Sequence, residues 1–175
     1  MVKNMPIPAY MLIEGEKQGL ITKENNTYES VGNSWQSGFE NSIVVLDFEH
    51  SIDIPTDTKS GLPSGQRIHN PISITKIFDR STPLLYSACV SGEKLTKCEI
   101  QWYRANSSGS SECYFTHILE DAIITKILYF MPSCVDPKFE HFTHHEKLTF
   151  FYRKLTLRHN KSNEEVFDDW ILPYK

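Results

Sequence analysis

Along most of the chain, apolar residues return at every second position, the period of a strand with one face buried and one face wet. "SIVVLDFEHSIDI" (42–54) sets Val44, Leu46, Phe48, Ile52 and Ile54 on one face, with His50 as its one polar member. "GQRIHNPISITKIF" (65–78) continues the alternation with Ile68, Ile72, Ile74 and Phe78. "LTKCEIQWYR" places Cys98, Ile100 and Trp102 together, and "ECYFTHILED", "AIITKILYF" and "KLTFFYRKLTLRH" read as further strands. Between Arg104 and Glu112, "ANSSGSS" has the glycine and serines of a flexible hairpin turn. The pattern predicts a mainly β chain.

One segment departs from that period. "STPLLYSACVSG" begins with Ser81 or Thr82 as an N-cap, has Pro83 in its first turn and closes at Gly92, where a left-handed residue costs glycine least. Leu84, Leu85 and Ala88 then share a face at helical spacing, so one short helix is expected to pack on the sheets.

A second departure is "IPTDTKSGLPSGQRIHNP", Ile54 to Pro71, with two glycines, three prolines and several small polar residues. Two alternating segments flank it closely, which predicts an extended hairpin arm. The other long polar connections are "SCVDPKFEHFTHHE" and the tail after His159. No linker divides the chain, and no repeat is evident.

At 175 residues the chain is long enough for one domain with a sizeable core and short for two. Hydrophobic residues at 39% and charged residues at 23% are ordinary for a globular protein, so the chain is expected to fold alone. A net charge of −4 carries no basic footprint, which argues against nucleic acid as a partner. The longest apolar run, "AIITKILYFM", is broken by Lys126 and is too short to span a bilayer, so membrane insertion is not expected. Prolines and Glu14 interrupt any signal-peptide core in "MVKNMPIPAYMLIEGE". The protein is therefore expected to be made in the cytoplasm and, if exported, to use a route that handles folded protein.

Candidate chemistry is sparse. "SGLPSGQR" superficially suggests a phosphate cradle, but a P-loop needs G-x-x-x-x-G-K-[ST] entering a helix; here the spacing differs and a strand follows. "HFTHHE" supplies His141, His144, His145 and Glu146, a metal-ligating set by residue type. It lacks the i, i+4 helical spacing of H-E-x-x-H and reads as a solvated loop. Cys89, Cys98, Cys113 and Cys134 have no C-x-x-C pairing and read as reduced, buried thiols. There is no G-x-S-x-G elbow, and Asp168 and Asp169, adjacent on an extended tail, point apart and read as a solvated turn. No catalytic constellation, cofactor site or metal site is expected.

The order of the segments resembles the haemolysin-coregulated protein (Hcp) family of the type VI secretion system. The likeness rests on "MPIPAYMLIEGEKQGLIT", "SVGNSWQSG", the arm with its flanks through "STPLLYSACVSGE", "IQWYRANSSGSSECYFTHILEDAIITKILYFMPSCVDP", "HFTHHEKLTFFYRKLTLRH" and "DDW". It runs from Met5 to Trp170; Met1 to Asn4 read as a short addition and 160–175 as a variable tail on a single tube domain. The resemblance implies an antiparallel two-sheet β-barrel with a helix at its side. It further implies hexameric rings that stack into a tube carrying effector proteins in its lumen. That tube would lie inside a contractile sheath, carry a spike protein at its tip and be expelled from the cell. The family often reads G-H-E-D-x-I where this chain has "GFENSI", with Phe39 and Asn41 at the altered positions, and Ile171 stands where relatives place an arginine.

A tube subunit offers neighbours edges and arms rather than a pocket, and a ring of identical subunits uses a head-to-tail contact whose rotation closes. The arm is the expected subunit or ring contact, through Asp57, Lys59, Ser60, Gly61, Pro63, Gly65, Gln66, Arg67 and His69. Its prolines limit the freedom lost on docking. Two rival classes are a β-sandwich carbohydrate-binding module, with Trp35, Trp102 or Trp170 stacking on sugars, and a small hydrolase.

Overall fold

The computed structural model describes residues 8–139 and 142–170. Among these described residues are thirteen strands: β1 Ala9–Gly15, β2 Gly19–Leu20, β3 Ile43–Val45, β4 Asp47–Glu49, β5 Ile52–Asp53, β6 Ile68–His69, β7 Ile72–Ile77, β8 Leu95–Ala105, β9 Ser111–Glu120, β10 Ile123–Phe130, β11 His145–Phe151, β12 Lys154–His159 and β13 Glu164–Asp169. Helix α1 spans Tyr28–Val31 and helix α2 spans Thr82–Ser91.

One sheet runs β13-β12-β9-β8-β1-β2, with β3 also on β1, and a second runs β10-β11-β7-β4. All these pairings are antiparallel. The expected mainly β, two-sheet architecture is present, but the sheets do not close into a barrel. Among the described residues, strands β10 and β13 each end a sheet with one edge unpaired. The predicted turn at "ANSSGSS" joins β8 to β9; Asn106 caps it by accepting hydrogen bonds from the Ser108 and Ser110 amides at 3.0 and 2.9 Å.

Buried Met11, Ile13, Ile43, Ile72, Ile74, Leu95, Ile100, Leu148 and Phe150 form one cluster between the sheets. Helix α2 adds Leu85 and Ala88 and packs against β10. Ser81 sits at its N-cap position without a side-chain cap; Asp79 accepts the Ser81 amide and hydroxyl at 2.9 and 2.6 Å instead. Gly92 ends the helix at φ 63, in the left-handed region that glycine occupies without strain. Leu84, read as part of the buried face, is exposed, and the four-residue α1 adds a second helix. Among the described residues no helix is long and apolar enough to cross a membrane.

The first alternating segment is out of phase with its reading. Ile43 and Val45 are buried while Leu46 is exposed, because the chain changes sheet there: β3 pairs with β1, and β4 pairs with β7. A strand that turns a corner between two sheets does not keep one face inward. Ile52, Ile54 and Ile68 are also exposed, since they lie on the arm with no sheet behind them, and Phe78 is exposed beyond the end of β7.

The polar tail after His159 is structured as well. Residues Glu164–Asp169 pair with β12, with Asp168 opposite Leu155 and Asp169 opposite Lys154.

Candidate functional site

The arm is an ordered hairpin rather than a loose loop. At its root β5 pairs with β6, Ile52 opposite His69 and Asp53 opposite Ile68, and further out Thr56 bridges to Pro63. The tip is organised by Asp57, whose carboxylate accepts hydrogen bonds from the Lys59 and Ser60 amides at 2.9 and 2.7 Å. Those bonds hold the Asp57 carboxyl below its usual range. Gly61 adopts φ +70, and its amide donates to the Asp57 carbonyl at 2.8 Å, while the Ser64 amide donates to the Pro55 carbonyl at 2.8 Å. These local bonds spend the amides a phosphate would need, so "SGLPSGQR" forms no open cradle.

The expected contact residues divide into two groups. Asp57, Lys59, Ser60, Gly61, Pro63, Gly65 and Gln66 are exposed at the tip, beside exposed Ile54 and Leu62. Arg67 and His69 instead turn inward at the root. The Arg67 guanidinium holds Asp168 in a two-pronged ion pair, with Nη2 to Oδ1 at 2.5 Å and Nε to Oδ2, and Nη2 also donates to the Asp169 carbonyl at 3.3 Å. His69 Nε2 lies 2.8 Å from Asp168 Oδ2. The Arg67 hydrogen bond, and then that of His69, hold Asp168 below the usual carboxylate range against the opposing effect of burial.

Asp168 and Asp169 do point apart, as successive residues of a strand must. They form no solvated turn: Asp169 is buried and pairs with Arg153, which also reaches Asp121 at 2.6 Å. Trp170 donates its indole N–H to the Tyr152 carbonyl at 2.5 Å. The "DDW" segment therefore fastens the arm root to the link between β11 and β12. Tyr152 and the end of β4 complete the fastening through His50, which lies 2.6 Å from the Tyr152 hydroxyl.

The other candidates do not converge. His141 lies outside the described residues, His144 is exposed, and His145 is buried in β11 against Phe130 at 5.4 Å between ring centroids. Its neighbour Glu146 is also buried, so this end of "HFTHHE" is strand rather than solvated loop. Among the described residues no group of three or more His, Cys, Asp and Glu is placed to hold a metal ion. Cys98 is buried, and burial pushes its thiol well above the ordinary range; Cys89 and Cys113 are half-buried. Cys134 is exposed, because its connection carries no core-facing strand.

Of the three tryptophans, Trp35 is exposed, Trp102 donates to His117 Nδ1 at 2.8 Å and Trp170 is bonded as described. The altered "GFENSI" residues have intramolecular tasks: Phe39 stacks on Tyr10 at 3.7 Å, and Asn41 accepts the Glu24 amide at 2.9 Å.

A sequence model described as "Type VI secretion system effector, Hcp" matches residues 10–159. The "Major exported protein" of Pseudomonas aeruginosa is 52% identical over 169 residues, covering 97% of this chain and 98% of its own. A crystal structure of an Hcp protein superposes with TM-score 0.88 at 41% identity, covering 94% of this chain and 99% of that one. The secreted protein Hcp3 from Pseudomonas aeruginosa superposes with TM-score 0.79 at 45% identity, covering 93% and 99%. The chain belongs to the Hcp family of type VI secretion effector and tube proteins.

Proposed function

We propose that the chain is a structural subunit of the type VI secretion inner tube, acting by assembly rather than by catalysis. Six copies close into a ring, rings stack, effector proteins travel in the lumen, and the tube is expelled with its spike from within a contractile sheath. The chain serves as one tube domain, with 160–175 as the part that varies between relatives. It leaves the bacterial cytoplasm as a folded protein.

The observation that carries this reading is the arm itself: ordered, held at its root by half-buried ion pairs, and exposing Ile54 and Leu62 at a position where they touch no core. Exposed aliphatic residues on a preorganised element mark a contact surface, because docking then costs little conformational entropy. Head-to-tail closure needs a second, different surface. The free edge of β10, with exposed Leu128, Tyr129 and Phe130, supplies one. Size exclusion coupled to light scattering should give six protomer masses; a stable monomer at micromolar concentration overturns the reading.

A further inference from the structure

The arm root contains more than an anchor. The Tyr152 side chain is buried, and its hydroxyl lies between two imidazoles, His50 Nε2 at 2.6 Å and His69 Nδ1 at 3.2 Å. Beyond His69 stand Asp168, at 2.8 Å from Nε2, and then Arg67. One line of hydrogen bonds thus joins the end of β4, the β11–β12 link, β6 and β13.

Counting protons restricts the states of this line. A phenol donates one hydrogen, a neutral imidazole one and an imidazolium two, while a carboxylate only accepts. His69 Nε2 therefore carries a hydrogen toward Asp168. With both rings neutral, the Tyr152 hydroxyl donates to His69 Nδ1, and His50 Nε2–H donates to the phenol oxygen. Every contact is satisfied. With one proton added to His69, Nδ1–H donates to the phenol oxygen, and the hydroxyl turns to His50 Nε2, whose hydrogen moves to Nδ1. Every contact is satisfied again. A second proton, on His50, leaves donors on both sides of the hydroxyl, no acceptor for its hydrogen, and two like charges across one oxygen.

We propose that the arm root is a proton-counting latch, closed with up to one added proton on the His50–Tyr152–His69 bridge and opened by the second, which frees the arm in acid. The groups facing His50 are Tyr152, His69 with Asp168 and Arg67 behind it, His117 from β9, and its own neighbour Glu49. Burial, and then His69, lower His50 below the ordinary histidine range, so the second proton arrives only in acid. Burial, and then the charge of Asp168, raise the Tyr152 phenol, which keeps its single hydrogen. An open groove lined by Phe48, Glu49, His50, Ser51, Pro71 and Ser73 admits the proton. The latch belongs to the protomer; only its consequence, an acid-weakened contact between subunits, rests on the assembly reading.

The test follows the imidazole nitrogens of the full chain by NMR through a pH titration, together with hydrogen exchange of the Asp53, Ile68 and Asn70 amides, which bond across the arm root. Two separate histidine steps are expected, with arm-root exchange rising about tenfold or more at the second step alone while β8 and β9 stay protected. His50→Gln keeps an N–H donor toward the phenol oxygen and takes no proton, so its arm root should stay protected over the same range. A single joint step, exchange that rises with the first proton, or an acid step retained in His50→Gln overturns the latch; should that variant not fold, the wild-type titration decides alone. Light scattering in parallel separates the two readings. Rings that persist with the latch open sink the contact reading, and rings that dissociate with the root still protected sink the latch.

Discussion

Two clusters of charge lie close together along the chain and behave as opposites. Lys76 on β7 is opposite Glu146 on β11, and its ammonium spends three hydrogens on Glu146 Oε1 at 2.5 Å, Asp79 Oδ1 at 2.8 Å and Thr82 Oγ1 at 3.2 Å. The side chains of Lys76, Asp79 and Glu146 are 0%, 2% and 0% exposed. At the arm root, Arg67 is 15% and Asp168 31% exposed. Each cluster joins a cation to a carboxylate far away in the sequence, Lys76 to Glu146 and Arg67 to Asp168. Where water is excluded, no solvent compensates a lost partner, and the ion pair welds β7, β11 and the start of α2. Where water reaches, solvent shares the charge and the same chemistry makes a fastening that can be undone. The fold is thus fixed beside the helix and releasable beside the arm.

Breaking each cluster tests that contrast. Lys76→Met leaves two buried carboxylates facing each other without a cation and should cost about 3–5 kcal/mol. Arg67→Met removes a partly wet partner and should cost about 1 kcal/mol. Urea unfolding followed by circular dichroism measures both. Equal losses would show that the arm root is as much a weld as the helix end.

Acid provides the next largest effect. Trp102 donates to His117 Nδ1 at 2.8 Å, so this ring is neutral, with its hydrogen on Nε2. Burial, and then the neighbouring His50, lower His117 to about 4. The unfolded chain takes up this proton near the ordinary value of about 6.5, well before the folded protein does. Stability from this site is therefore complete above about 6.5 and is lost as pH falls toward 4, by up to about 3 kcal/mol. His117→Asn keeps an acceptor near the Nδ1 position without a titrating proton. Comparing urea midpoints at neutral and acid pH should show a flatter profile for that variant, with the remaining slope shared by His50 and the carboxylates held below their usual range, Asp168 among them.

What the sequence disclosed, and what it hid, follows the same division between regular and special positions. Period two located the strands from Ile72 to Ile77 and from Leu95 to Phe130, and Ser81, Pro83 and Gly92 bounded the helix, because each rests on local backbone preference. Phase failed at Leu46, where a change of sheet alters which side is covered without altering composition. The buried cluster carried a signal that local reading passes over. Lys76 is in phase with Ile72 and Ile74, and Glu146 is in phase with Leu148 and Phe150, so each strand places one charge on its apolar face. Two such misfits of opposite sign point to a cross-strand pair. Asp168 offered no such clue, since its partners Arg67 and His69 lie about a hundred residues earlier and only the folded topology joins them.

The smallest expected effect on the protomer comes from removing the tip of the arm. Replacing Thr56 to Ser64 with Asn-Gly lets Gly65 complete a short turn, for which the twist of the flanking strands is suited. The segment removed contains the Asp57 turn and exposed Leu62, none of it packed in the core, while the root pairing of Ile52 with His69 and the Arg67–Asp168 pair remain. Buried Ile72, Ile74 and Phe150 keep their surroundings, so the hydrophobic contribution is unchanged. Measured at a concentration where the protein is monomeric, stability should change by no more than about 0.5 kcal/mol, as for surface positions generally. On the proposed assembly the response differs: ring stacking should weaken and export fall, because the exposed aliphatic and polar groups of the tip are gone. Unfolding of the shortened chain would place the tip in the core after all, and undiminished tubes and export would make the arm a bystander held in place by an otherwise unused clamp.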